Sequence, residues 1–272
     1  MDAKKDDLPH CRICSNEAEL FDRATVLSKY DVAYYRCANC GFVQTETPYW
    51  LDEAYTKAIN AVDTGIMQRN LLHRRITSSI IELLFPEARP VLDYGAGHGI
   101  FVRLMRDLGY DFYWYDLYAS NDYALGFEHR NGNVYDLVTS FEVLEHLSDP
   151  LDQLSRMMSL SANVLVSTEL LPERAPKISD WWYYTPAHGQ HISFYTQKAL
   201  RTVAQHFGRR LLSRGTIHLF TKEPKNNLMF RLAVNHRVAA LIRVLRSRPS
   251  LTMPDHYRMT QEGPGGASQA KA

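Results

Sequence analysis

With 272 residues the chain can hold one large domain and a small one, and 45% apolar residues suit a globular protein with a full core. The 31 Lys and Arg against 30 Asp and Glu leave a net charge of +1, which speaks against a globally basic nucleic-acid binder. No apolar run reaches membrane-spanning length, and the charged start from Met1 to Asp7 lacks the apolar segment of a signal peptide, so the expected location is the cytoplasm.

In chain order the first feature is Cys11-Arg12-Ile13-Cys14, then, after 22 residues, Cys37-Ala38-Asn39-Cys40-Gly41. Two CxxC knuckles about 15–20 residues apart mark a zinc ribbon, and this gap is slightly longer. Each knuckle aims two thiolates at one point. Cys11, Cys14, Cys37 and Cys40 together complete a tetrahedral shell for Zn²⁺, and four protein ligands leave no open position, so the expected zinc is structural. A redox pair or four free thiols are the alternatives. Tyr34-Tyr35-Arg36 and Phe42-Val43 read as short strands, and the expected module covers residues 1–48.

Residues 49–224 form the expected main domain. Leu51 to Ala61 has a short helical pattern, and Ile66 to Phe85 a longer one with Leu71, Leu72, Ile76, Ile80, Leu83 and Leu84 as its apolar stripe. Arg69, His73, Arg74 and Arg75 are expected on the solvated face. Val91 to Tyr94 reads as a strand. Gly95, Gly97 and Gly99 then allow a tight turn, and Ile100 to Leu108 reads as a helix stopped by Gly109. A second strand, Phe112 to Tyr115, ends at Asp116, placed to hydrogen-bond ribose hydroxyls. The stretch from Leu117 to Asn133 is too short for a further helix and strand. A strand over 136–141, a helix from Pro150 and a strand over 163–168 continue the alternation, which predicts an α/β, doubly wound, mostly parallel sheet. The aromatic block Trp181-Trp182-Tyr183-Tyr184, followed by His188 and His191, is a candidate substrate site. Thr196 caps a helix over 197–207, and residues 211–212 and 216–220 read as antiparallel closing strands.

Residues 222–272 carry nine Lys and Arg against three Asp and Glu. Residues 226–247 read as one basic amphipathic helix, open to packing on its own domain, to a homodimer or to a membrane surface. The Pro-, Gly- and Ser-rich remainder of 225–272 reads as a disordered tail.

The glycine loop is Asp-x-Gly-x-Gly-x-Gly rather than GxGxxG. An acid directly before the glycines would repel a pyrophosphate and suits a cofactor with a cationic end. On Val91-Leu92-Asp93-Tyr94-Gly95-Ala96-Gly97-His98-Gly99, Asp116 and the run Asp136 to His146, the chain resembles class I S-adenosylmethionine-dependent methyltransferases, and the motifs cover about residues 66–220. The resemblance implies a Rossmann-like domain. In it, Asp93, Gly95 and Gly97 would hold the methionine end of S-adenosyl-L-methionine, Asp116 the ribose, and Phe141 and Glu142 would flank the cofactor. Glu145-His146 is in this family more often structural than catalytic. The usual acid that binds adenine has no direct counterpart, and Asp122, Glu128 or Asn133 would have to substitute.

The pairing with a cysteine module is similar to sugar C-methyltransferases and related glycan-pathway enzymes, whose Tyr-His-Glu-His segment matches Ala187-His188-Gly189-Gln190-His191 in part. That resemblance implies His191 as general base and His188 as its orienting or substrate-binding neighbour, with Trp182, Tyr183 and Tyr184 walling a small polar, sugar-like acceptor. Two other readings stand beside it. One is an rRNA or tRNA methyltransferase with a zinc module, disfavoured because residues 1–48 carry eight acidic against six basic residues. The other is an inactive cofactor-binding scaffold.

Overall fold

The computed structural model describes residues 9–56 and 63–262. Strands β1 (Ala18–Val26), β2 (Tyr30–Cys37) and β3 (Val43–Thr45) come first, then helices α1 (Leu51–Ala54) and α2 (Ile66–Leu84). The alternating region follows as β4 (Val91–Tyr94), α3 (Ile100–Asp107), β5 (Phe112–Tyr115), β6 (Leu137–Phe141), α4 (Pro150–Leu160) and β7 (Asn163–Ser167). The chain closes with β8 (Ser193–Phe194), α5 (Gln197–His206), β9 (Arg210–Arg214), β10 (Ile217–Thr221), α6 (Asn227–Ala233), α7 (His236–Leu245) and α8 (Thr252–Glu262). One sheet has the order β1-β2-β3-β8, the other β5-β4-β6-β7-β10-β9. In the larger sheet β4 pairs in parallel with β5 and β6, whereas β10 and β9 are antiparallel, which makes the mixed, mostly parallel sheet that the alternation predicts. Among the described residues no helix is long and apolar enough to cross a membrane.

The chain divides into two compact units. The first draws on residues 1–60, 141–159 and 166–223. Its cysteine sheet is larger than the sequence suggests. It contains the nine-residue β1, and its fourth strand, β8, comes from the histidine-bearing loop, with Val43 opposite Phe194 and Gln44 opposite Ser193. Val32, Tyr34, Val43 and Trp50 share one buried core with Ile178, Tyr183, Tyr184, Ile192 and Phe194. Each large apolar side chain buried in this way is worth about 1.5–3 kcal/mol, so the core welds the cysteine module to the aromatic segment. Tyr184 is therefore a core residue and not an acceptor wall: it is fully buried, and its hydroxyl donates to the Pro176 carbonyl at 3.2 Å.

The second unit draws on residues 61–140, 160–165 and 224–272. Several expectations change, the first of them in the first unit. The helical pattern from Leu51 becomes a helix only over Leu51–Ala54, and residues 57–62 lie outside the described ones. On α2, Leu71 and Leu72 are exposed, whereas His73, expected in solvent, is buried, and burial pushes its imidazole down to about 4. The single helix over 226–247 is two, because Asn235 accepts hydrogen bonds from the Arg237 and Val238 amides and starts a fresh N-terminus; both α6 and α7 pack on α2.

The expected disordered tail instead forms α8. Asp255 of α8 sits between Arg106 (2.7 and 2.8 Å) and Arg103 (2.8 Å) of α3. The rest of the predicted tail, residues 263–272, lies outside the described ones. Gly109 ends α3 at φ +87°, and a Cβ there would lie 2.4 Å from the Pro249 carbonyl oxygen, so the helix stop and the C-terminal segment fit only around glycine.

Candidate active site

The glycine loop runs from the end of β4 to the start of α3, as its sequence predicts. Asp93 is buried at the strand end, where Oδ1 accepts a hydrogen bond from Thr139 Oγ1 at 2.7 Å. Burial raises its carboxyl to about 7, against the Thr139 hydrogen bond and with a further push from the charge of Asp116. A cation brought to this acid would reverse the shift. Gly97 lies at φ +53°, and its amide donates to Asp116 Oδ2 at 2.8 Å; the other oxygen of Asp116 accepts from the Tyr118 and Ala119 amides, each at 2.8 Å. Asp116 thus ties the end of β5 to the glycine turn. Gly95, at φ +76°, donates its amide to the Tyr115 carbonyl at 2.8 Å.

No strand forms between β5 and β6, in keeping with the short connection. One residue of a third strand survives as a parallel bridge, with Glu128 beside Trp114 of β5. Of the three substitutes considered for adenine, Glu128 is the one at this sheet edge, where Oε1 accepts from Asn121 Nδ2 at 2.7 Å. Asp122 instead pairs with His98 Nδ1 at 2.6 Å, and Asn133 is exposed.

Phe141 closes β6. Glu142 then takes a left-handed φ of +54°, which disfavours a side-chain-bearing residue by about 1–2 kcal/mol. Its amide donates to Ser167 Oγ at 2.9 Å, and that hydroxyl donates back to Glu142 Oε1 at 2.6 Å. Non-glycine strain of this kind concentrates at functional sites.

The first unit gathers the histidine chemistry. His191 Nδ1 lies 2.7 Å from the Tyr183 carbonyl oxygen. A carbonyl only accepts, so Nδ1 carries the proton and Nε2 keeps its lone pair. The ring also packs edge-on to Tyr183, with centroids 4.8 Å apart. The group that orients His191 is therefore the Tyr183 backbone. His188 lies in the turn over 185–189, where its amide donates to the Thr185 carbonyl at 3.0 Å.

The side chains that do join His191 are Glu145 and His146: one ligand-capable atom from each of the three lies within 4.8 Å of the others. His146 Nδ1 is 3.1 Å from the Gln190 carbonyl and 2.9 Å from Tyr55 Oη. Burial, followed by the neighbouring His191, pushes His146 down to about 3 and holds it neutral. Glu145 is wholly buried, and its carbonyl accepts from the Ile192 amide at 2.9 Å. In sequence Glu145-His146 reads as structural; only the pairing of residues 45 places apart reveals the cluster. Tyr183 forms the buried side of this region and Trp182 is 73% exposed, so the aromatic block divides between core and surface.

The four cysteines converge. Their Sγ atoms lie 3.5 Å (Cys11–Cys40), 3.4 Å (Cys14–Cys37) and 3.6 Å (Cys14–Cys40) apart, with no disulfide. The Cys40 hydrogen bond draws Cys11 down to about 5, while the same contact drives Cys40 upward. Four thiols this close cannot all ionise without a cation among them.

No curated protein matches the sequence. Solved structures to which the chain shows similarity include an O-methyltransferase family protein from Burkholderia thailandensis, with 18% identity, 63% of this chain and 66% of that one covered, and a TM-score of 0.42. Human N-acetylserotonin methyltransferase, in complex with S-adenosylmethionine, gives 15%, 64%, 66% and 0.43, and the plantazolicin methyltransferase, in complex with S-adenosylhomocysteine, gives 11%, 65%, 79% and 0.43. The chain spans just under two thirds of the length of the first two. The methyltransferase-domain family matches residues 67–214, more than half of the 272. The chain belongs to that family and carries a class I S-adenosylmethionine-dependent methyltransferase domain.

Proposed function

We propose that the protein methylates a small polar acceptor of sugar or nucleotide-sugar type, with His191 as general base. The observation that carries this reading is the hydrogen bond from His191 Nδ1 to the Tyr183 carbonyl, which leaves the Nε2 lone pair as the proton acceptor. When bound, S-adenosylmethionine supplies an electrophilic methyl group on a sulfonium, and displacement there is in line. Asp93, with Gly95 and Gly97, holds the cationic methionine end; Asp116 holds the ribose; Phe141 and Glu142 flank the cofactor, and Glu128 is the candidate partner for adenine. The buried acid at Asp93 supports this assignment, since a cation restores the charge that burial suppresses. His188 lines the acceptor side of the same loop.

Cys11, Cys14, Cys37 and Cys40 hold a structural Zn²⁺. Bonds of about 2.3 Å to sulfur put tetrahedral neighbours roughly 3.8 Å apart, and the observed separations of 3.4–3.6 Å suit that shell. Zinc gives this module the fixed geometry from which β3 carries β8.

The test is release of S-adenosylhomocysteine across nucleotide sugars, small phenols and RNA. Turnover is expected with a sugar-type acceptor, and His191→Ala is expected to lower kcat by about 10²–10⁴-fold while cofactor affinity holds. Turnover on RNA alone, or an unchanged kcat in the variant, overturns the acceptor class or the base, respectively.

A further inference from the structure

We infer that Glu145, His146 and His191 form a binding site for a divalent first-row transition-metal ion, separate from the four-cysteine site. Three observations within one compact unit carry it. First, a carboxylate and two imidazoles bring one donor atom each to within 4.8 Å of one another. An ion with bonds of about 2.1 Å holds adjacent donors roughly 3.0–3.4 Å apart, so closure takes only small side-chain rotations. Second, both rings turn Nδ1 to outer partners, His191 to the Tyr183 carbonyl at 2.7 Å and His146 to the Gln190 carbonyl at 3.1 Å and Tyr55 Oη at 2.9 Å. Such an outer contact is the one metal-binding histidines almost always make, and at His191 it fixes the tautomer that presents Nε2. Third, Glu145 is fully buried, so its carboxylate is held away from bulk water beside the two rings.

Two imidazoles and one carboxylate suit Mn²⁺, Fe²⁺, Co²⁺ or Zn²⁺, in contrast to the all-oxygen shells of Ca²⁺ and Mg²⁺. Three protein donors also leave coordination positions open, unlike the closed thiolate site. For the ion's purpose the inference rests on the methyl-transfer reading. An acceptor hydroxyl bound to the ion loses its proton to water at lower pH, its oxygen bonds to the methyl carbon, and the carbon–sulfur bond breaks to leave the neutral thioether. In that loaded form Nε2 of His191 is a ligand and the ion takes over activation of the acceptor, so the base role proposed above belongs to the metal-free form, because one lone pair cannot serve both.

The full chain, as purified, is titrated with MnCl₂ while the six-line electron paramagnetic resonance signal of free Mn²⁺ is followed. Soft thiolates do not compete for this hard ion. The expected result is one Mn²⁺ per chain, with affinity reduced at least about tenfold in both Glu145→Gln and His191→Ala, and reduced less in Tyr55→Phe, which alters only the outer contact. Absence of stoichiometric binding in the unaltered protein, or equal binding in both ligand variants, overturns the site. The titration contains neither cofactor nor acceptor, so its outcome is independent of the transferase reading, which is decided by S-adenosylhomocysteine release.

Discussion

Asp93 concentrates the cofactor argument in one carboxyl group. The residue is buried beside Thr139, and its folded-state value is raised to about 7 against about 3.9 for a free aspartate. Two signs follow. Without cofactor the folded chain binds this proton more tightly than the unfolded chain, so the stabilising contribution is complete below pH about 4 and is lost as pH rises to about 7. A cationic cofactor does the opposite, because it prefers the ionised acid. Calorimetry with S-adenosylmethionine is expected to give constant affinity above pH about 7.5 and a loss approaching tenfold per unit below about 6.5. Asp93→Asn is expected to bind weakly and to flatten this profile; an unaltered profile in the variant would remove Asp93 from cofactor binding. At this scale the sequence was informative about Asp93 and Asp116, since an acid at each strand end follows from spacing alone. It reads Glu145 as structural but gives no sign of its approach to His191, which depends on the Ile192 segment that the Glu145 carbonyl anchors.

Elements divide by the range of what holds them. The β4–α3–β5 unit is legible because its strands, glycine turn and helix are set by neighbours in sequence. The two-residue β8 has no local signal and exists through its pairing with β3. Helix α8 was hidden for a related reason: its sequence is polar, and what orders it is the buried contact of Asp255 with Arg106 and Arg103. Burial alone would raise the Asp255 carboxyl, but the two guanidinium groups hold it below its usual range. Removing Asp255 leaves Arg106 with Asp111 and Arg103 with Asp107, so the cost is expected at or below the low end of the about 3–5 kcal/mol for breaking a buried pair. Asp255→Ala is thus expected to lower the melting temperature by several degrees, and Asp255→Asn to cost less. A variant that melts like the unaltered protein would mean that α8 contributes nothing to the stability of its unit.

For the molecule as a whole, the expected zinc ribbon is structurally continuous with the histidine loop. Thr196 Oγ1 donates to the Cys40 carbonyl at 2.6 Å, Arg12 donates to the Thr45 carbonyl at 2.8 Å, and Trp50 Nε1 donates to the Gly189 carbonyl at 2.8 Å. Stripping the proposed zinc with a chelator, or replacing Cys37 by Ser, is therefore expected to lower turnover and the melting temperature together, with little change in cofactor affinity. Loss of metal with full turnover would make the module dispensable to the acceptor side. The reading of 1–48 as a separable piece rests on composition and cysteine spacing, which are local quantities. What they cannot register is a core shared by Tyr34 and Tyr184, whose rings meet at 6.2 Å across 150 positions of sequence.

The pairing of β3 with β8 also bears on how the chain is made. Val43 leaves the ribosome roughly 150 residues before its partner Phe194, a delay of about 10–30 s at ordinary bacterial or eukaryotic translation speeds. Throughout that interval the outer edge of β3 has no neighbour, and an unpaired strand edge invites pairing with other nascent chains. Biosynthesis of this protein is thus most vulnerable to aggregation before residue 194 emerges, and a chaperone that acts on the nascent N-terminal sheet would protect it in that window.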